Sequence, residues 1–307
     1  MEKNMKINFE HLKKRVEDAL EKTDLEFIRR NLLELKEPSI VSGVGGSSVV
    51  STFGAKILNQ KNHIITQSSE PRDFLYQNLS GFRNVLACSY SGNNYGVDLS
   101  FQNNLKKFLL SNNSFTDPDV TYLQYQTSID KERSFISLGA TLIPVSIFLD
   151  YYLDGNTDRI LELIEPTNFS FETAPITYEI FSGYDTSTSA KYLESTLVES
   201  GLAIPIVHDK YSYCHGRSTL STVRSSNAIY FDKETDFDKM MLEELKPYYN
   251  EIIVISSPSK DQVEADFHML VQSMYLTKYL AEQREKDLSK VDYSPITKKL
   301  YTYKGTI

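Results

Sequence analysis

Short apolar runs alternate with helical periods in this chain, and the pattern occurs twice. In the first half, Pro38-Ser39-Ile40-Val41-Ser42 leads into Gly43, and Ser47 to Leu58 keeps a helical pattern. Asn62-His63-Ile64-Ile65-Thr66 is a β-branched run, 70–79 is predicted helical, and Asn84 to Ser91 is another strand. A helix is predicted from Gly92 through Leu110, and Val120 to Tyr125 is the fourth strand. The pattern restarts after residue 172. Strands are predicted at Ile176–Phe181, Ile204–His208, Asn227–Phe231 and Glu251–Ser256, with helices at 186–200, 236–246 and 261–284. Such alternation predicts a parallel sheet, because parallel neighbours need a crossover connection. The expected fold is therefore α/β, with two tandem doubly wound parallel-sheet units.

Before the first unit, Phe9, Leu12, Val16, Leu20, Leu25, Ile28, Leu32 and Leu35 recur at helical spacing. Thr23 and Asp24 are placed to cap a second helical segment. The expected organisation is a helical segment at 1–37, a first unit at 38–153, and a linker at 154–174 bearing Gly155, Asn156, Pro166 and Asn168. A second unit follows at 175–284, then a Tyr- and Lys-rich tail at 285–307. The length of 307 residues suits two units.

Charge and residue usage narrow the function. With 33 basic and 41 acidic residues the net charge is −8, which provides no basic footprint for nucleic acid or anionic lipid. An anionic ligand would need local amides and hydroxyls instead. Two cysteines, Cys88 and Cys214, make no disulfide framework or thiolate metal site. The five histidines form no HExxH pattern. No metal or cofactor is called for. The N-terminus has no apolar signal-peptide core. Leu138 to Leu149, interrupted by Gly139 and Pro144, is too short to span a bilayer. A soluble cytoplasmic protein without nucleic-acid or membrane partners is expected.

Two loops carry the chemistry. The first, Gly43-Val44-Gly45-Gly46-Ser47-Ser48, joins a strand to a helix. A dinucleotide site would want a third glycine where Ser48 stands and an acid closing the second strand, which instead runs Ile64-Ile65-Thr66-Gln67. A P-loop would need Gly-Lys-Ser/Thr, which is absent. A third reading is a cradle for phosphate or a sugar phosphate, and the second loop favours it. Ser89-Tyr90-Ser91-Gly92-Asn93-Asn94 offers hydroxyls and amides at the end of another strand, where α/β sheets bind ligands. Ser and Asn at such positions can equally serve as helix caps.

These loops resemble the G-x-G-[GT]-S and S-x-S-G-x-[TS] segments of the sugar isomerase (SIS) phosphosugar-binding family, in its tandem form. Asn93 stands where an acid is usual, and Asn94 where a Thr is usual. The resemblance implies a binding set of Gly45, Gly46, Ser47, Ser89, Tyr90, Ser91, Asn93, Asn94 and Ser137. The second half resembles the isomerase half of glucosamine-6-phosphate synthase and the fructosamine-6-phosphate deglycases. There a helix-borne Glu precedes an H-G-P turn; here Glu199 and His215-Gly216 keep that spacing, with Arg217 for the Pro and Ser212 for an acid before the His. The tail segment Asp292 to Lys299 is similar to a lysine-bearing tail in the family, and counting from Asp292 selects Lys299 over Lys298.

The resemblance thus implies three catalytic residues, Glu199, His215 and Lys299. A carboxylate can take a proton α to a carbonyl. A His can open a sugar ring by moving a proton near neutral pH, and a Lys can polarise a carbonyl oxygen. The implied activity is isomerisation or deglycation of a sugar 6-phosphate by proton transfer between adjacent carbons, without a metal or cofactor. The alternative is a phosphosugar-binding sensor that keeps the cradle without turnover. A homodimer, or a dimer of dimers, sharing its active sites is implied as well, with His215 borrowed from the partner chain. Cys214 beside it reads as a small buried residue.

Overall fold

The structure is a computed structural model that describes residues 9–129, 136, 138–172, 174–222, 226–289 and 295. The N-terminal helical pattern forms two helices, α1 (Leu12–Lys22) and α2 (Leu25–Leu33), divided at the expected cap. Asp24 caps the second, its carboxylate accepting from the Phe27 N–H at 2.9 Å.

The first sheet has five parallel strands: β1 (Ser39–Ser42), β2 (Thr66–Ser69), β3 (Asn84–Cys88), β4 (Lys106–Ser111) and β5 (Val120–Gln124). Their spatial order is β2-β1-β3-β4-β5, the flavodoxin-like winding. After β1 the chain returns through α3 (Gly46–Asn62). Three expectations are corrected here. The predicted helix from Gly92 to Leu110 is a short α4 (Tyr95–Ser100) followed by β4. The strand expected at 62–66 begins only at Thr66, because α3 runs on to Asn62 and His63 turns in the left-handed region at φ 54°. The helix expected at 70–79 is a five-residue 3₁₀ turn, Pro71–Leu75.

The apolar stretch near Leu138 forms α5 (Gly139–Tyr152), which is buried along most of its length. A short α6 (Thr157–Glu162) lies within the expected linker. The second sheet holds β6 (Thr177–Ser182), β7 (Ile204–Asp209), β8 (Asn227–Asp232) and β9 (Ile252–Ser256), all parallel, in the order β7-β6-β8-β9. This is the winding of the first sheet without its last strand. The accompanying helices are α7 (Ser187–Glu199), α8 (Asp236–Leu245) and α9 (Gln262–Gln283).

The two sheets share a core. Phe53 on α3, Phe148 on α5, Leu197 on α7 and Phe267 on α9 belong to one buried apolar cluster. A buried ion pair, Lys56 to Asp266 at 2.5 Å, crosses between α3 and α9. Asp266 also accepts from the Ser189 N–H at 3.0 Å, so α7 joins the same junction.

These contacts fix helix directions. Lys56 meets Asp266 beside Ser189, whereas Thr52 meets Lys191, Nζ to Oγ1 at 3.2 Å. The C-terminal end of α3 bonds α5 through Asn62 and Tyr151, and the adjacent Tyr152 hydroxyl reaches Asp261 at the start of α9. Both α7 and α9 therefore run antiparallel to α3. Each helix returns antiparallel to its own strand, so the carboxyl edges of the two sheets face opposite ends of the molecule.

Candidate active site

The first cradle loop starts at the carboxyl end of β1. Gly45 holds φ 59° and ψ −129°, a backbone that side chains rarely adopt, and caps α3 without a side chain. The Ser47 and Ser48 N–H groups fold back onto the Val44 and Gly45 carbonyls at 3.1 and 2.8 Å. The Ser47 hydroxyl makes no hydrogen bond to a described residue.

The second loop lies beside it, since β1 pairs with β3 in register Ser42 to Ala87. A Cβ on Gly96 would come within 2.7 Å of Val44 Cγ2, so the two loops touch. Ser42 and Ser100 join their hydroxyls at 2.8 Å beneath them. Within this loop Ser89 and Asn94 hold each other: Ser89 Oγ accepts from the Gly92 N–H at 3.1 Å and from Asn94 Nδ2 at 2.8 Å. Asn94 Oδ1 caps α4 by accepting from the Val97 N–H at 3.1 Å. Asn113 donates to the Ser91 carbonyl at 3.1 Å, and Ser111 to the Tyr90 carbonyl at 3.2 Å. The hydroxyl of Ser91 and the amide of Asn93 make no hydrogen bond to a described residue. Tyr90 packs edge-on against Tyr125. Ser137 lies outside the described residues.

Glu199 is the last residue of α7 and is exposed, with Ser195 Oγ donating to its carboxylate at 2.7 Å. From the Lys191–Thr52 contact, α7 rises two turns, about 12 Å, to Glu199. From the same contact, α3 runs back over a similar distance to Gly46 and the Gly45 turn. The antiparallel packing puts Glu199 at the cradle end of the helix pair. The C-terminal end of α9 points the same way, and Lys286 beyond it lies 3.1 Å from where a Cβ on Gly201 would stand. The tail begins at the Glu199 end. Lys298 and Lys299 lie outside the described residues.

His215 is elsewhere. It sits in the turn after β7, whereas Glu199 precedes that strand, so the six residues of β7 alone hold them about 20 Å apart. The ring is exposed, and Cys214, expected to be buried, is exposed as well. One chain brings the cradle and Glu199 to a common end and carries His215 to the opposite edge of the second sheet.

Sequence reasoning missed Lys191. Burial lowers its amine below the ordinary lysine value, partly opposed by the charge of Glu194. Lys191, Ser195 and Glu199 recur at four-residue spacing on one face of α7, the available sequence signal. Also missed was the buried cluster around Glu179 and His208, which no spacing in the sequence announces. Among the described residues no group of His, Cys, Asp and Glu could hold a metal ion. No helix among them is long and apolar enough to cross a membrane. A cavity of about 400 Å³ at the end of β9, lined by His268, Gln272 and Phe169, is separate from the cradle.

No protein-family model matches the sequence, and no curated protein matches it. Solved structures do match in fold. Tagatose-6-phosphate ketose/aldose isomerase from Escherichia coli superposes with a TM-score of 0.71 at 12% identity, covering 95% of this chain and 96% of that one. The chain has the tandem sugar-isomerase fold. The C-terminal domain of glucosamine-fructose-6-phosphate aminotransferase from Francisella tularensis shares this fold with a TM-score of 0.70 at 10% identity, covering 96% and 99% of the two chains. Glucosamine-6-phosphate deaminase from Thermotoga maritima shares it with a TM-score of 0.68 at 14% identity, covering 95% and 97%.

Proposed function

We propose that this chain binds a sugar 6-phosphate in the cradle and acts on it as an isomerase or deglycase. The observation that carries this reading is the convergence at one end of α3: the two hydroxyl-bearing loops and the carboxylate of Glu199 share that end. The fold neighbours named above are proteins of phosphosugar chemistry by their descriptions, which supports the same class.

In this reading the N-terminal end of α3, with Ser47, Ser91 and Asn93, takes the phosphate. Ser89 and Asn94 hold the second loop in shape. Glu199 removes a proton from the carbon beside the carbonyl and returns it to the neighbouring carbon. His215, supplied by a second copy of the chain, opens the ring by moving a proton between ring oxygen and hydroxyl. Its distance from Glu199 within one chain is what an exchange of residues across a dimer requires. Lys299 of the tail polarises the carbonyl oxygen, and the tail starts at the Glu199 end.

A second reading, a phosphosugar sensor, is favoured by the exposure of Glu199 and its engagement with Ser195. A panel of hexose 6-phosphates, amino-sugar 6-phosphates and fructosamine 6-phosphates separates the two. A ligand at one hundred times its Kd raises stability by about 2.7 kcal/mol. Enzyme function predicts that a stabilising compound is also converted. A sensor stabilises without conversion, and no stabilisation by any member refutes both.

A further inference from the structure

We propose that the buried Glu179–His208 pair positions the His215 turn, holding it from both sides through Tyr213 and Arg217. The proposal rests on the reading that His215 serves the reaction. Glu179 lies in β6 and His208 in the adjacent β7, both wholly buried, with His208 Nε2 2.9 Å from Glu179 Oε2. A carboxylate so placed persists only with several partners. The Tyr249 hydroxyl donates to Oε2 at 2.8 Å, and Ser226 donates to Oε1 at 3.2 Å.

The first tether leaves this cluster through Tyr249. Its single proton goes to Glu179, so the Tyr213 hydroxyl, 3.0 Å away, donates to the Tyr249 oxygen. Burial and the bonds to Tyr213 and Glu179 push the Tyr249 pKa far up, which keeps that proton in place. The Tyr213 ring is buried edge-on against both Phe181 and His208. The second tether is Arg217, whose Nη1 lies 3.4 Å from His208 Nδ1 and 3.3 Å from the Val207 carbonyl. A guanidinium only donates, so Nδ1 accepts and the Nε2–H of His208 points to Glu179.

Both tethers end on one carboxylate, and they grip the turn two residues before and two residues after His215. The Ser218 N–H closes the turn onto the Tyr213 carbonyl at 3.2 Å. The His215 side chain has no hold of its own on a described residue. Where the resembled turn has Pro, a stiff residue, this chain has Arg217 bound to His208. The arrangement exposes the imidazole while fixing the backbone that carries it.

Hydrogen exchange of the 211–218 segment, followed by mass spectrometry, tests this in the full chain. Tyr213→Phe and Arg217→Met should each accelerate exchange there by about tenfold, while the β6 and β7 amides keep their rates. Arg217→Lys should restore part of the protection. Arg217 is exposed, so Arg217→Met is expected to fold even where Tyr213→Phe does not. Turnover with fructose 6-phosphate and glucose 6-phosphate as probes should show kcat down by about tenfold and KM within about twofold. Unchanged exchange in Arg217→Met overturns the tether, whatever the activity does. Accelerated exchange in that variant, with His215→Ala at full turnover, supports the tether and overturns the reading of His215 instead.

Discussion

Lys191 Nζ lies 3.2 Å from Thr52 Oγ1, and that contact, with Lys56 on Asp266 beside Ser189, makes two helices from different sheets run antiparallel. Thr52 is on α3, behind the first cradle loop, and Lys191 is on α7, upstream of Glu199. Because the helices are antiparallel, the second sheet's helix brings its last residue, Glu199, toward the carboxyl end of the first sheet. On the proposed reading the duplicated fold makes one composite site, to which each sheet contributes a different chemical part.

Within the second loop the proposed reading divides the labour between residues, which separates affinity from stability. Ser91→Ala should weaken binding of a sugar 6-phosphate by roughly 1.5–3 kcal/mol, the worth of a hydrogen bond to a charged group. Unfolding of the free protein should be unchanged. Asn94→Ala removes a helix cap and should cost about 1 kcal/mol of stability. Calorimetric titration and urea unfolding of the two variants check this, and equal effects in both assays would contradict it.

The junction between the sheets rests on a buried ion pair. Lys56→Met leaves Asp266 without its cation and should destabilise by about 3–5 kcal/mol. Asp266→Asn added to Lys56→Met should recover part of that loss, because no uncompensated charge then stays buried. Urea unfolding of the single and double variants gives the comparison.

Asp238 predicts an acid limb. Burial alone would raise its carboxyl, but hydrogen bonds from Lys210, Thr235 and Tyr230, with the charge of Lys210, hold it below the ordinary value. A depressed folded pKa adds stability above the unfolded value of about 3.9. That stability is lost as pH falls through the lower folded value. Asp238→Asn should lose stability at neutral pH and flatten the decline below about pH 4. Unfolding free energies measured from pH 2 to 7 read both effects.

Much of this fold is legible in the sequence, and the failures have physical causes. The second sheet's strands fall within a residue or so of expectation because each is a β-branched or aromatic run bounded by polar turns. Lys106-Lys107-Phe108-Leu109-Leu110-Ser111 is such a run entered through two lysines, and a short apolar stretch cannot be told from a buried helix by periodicity alone. Thr66-Gln67-Ser68-Ser69 is a polar edge strand, so its hydrophobic signal is missing. The cradle loops are legible because glycine and hydroxyl residues mark strand ends. That α7 ends with Glu199 at the end of α3 where these loops lie is not, since it depends on how two helices far apart in sequence pack. The cluster around Glu179 and His208 likewise forms only when β6, β7 and the Tyr249 segment come together.

The proposed loan of His215 from a partner chain makes a prediction that a single chain cannot satisfy. Glu199→Gln and His215→Ala proteins, each inactive, should regain activity when mixed under exchanging conditions. Random reassortment gives about half heterodimers, each with one intact and one doubly altered site. Heterodimers seen by mass spectrometry without returning activity would place His215 in the service of its own chain.

Proton exchange at the substrate carbon tests the central claim most directly. Deuterium incorporation from D₂O into the carbon beside the carbonyl of a bound sugar 6-phosphate is followed by NMR, for wild type and Glu199→Gln. The account predicts exchange by the wild type and a fall of about 10²–10⁴-fold in the variant, with affinity for the sugar phosphate retained. Exchange by Glu199→Gln at the wild-type rate would contradict it.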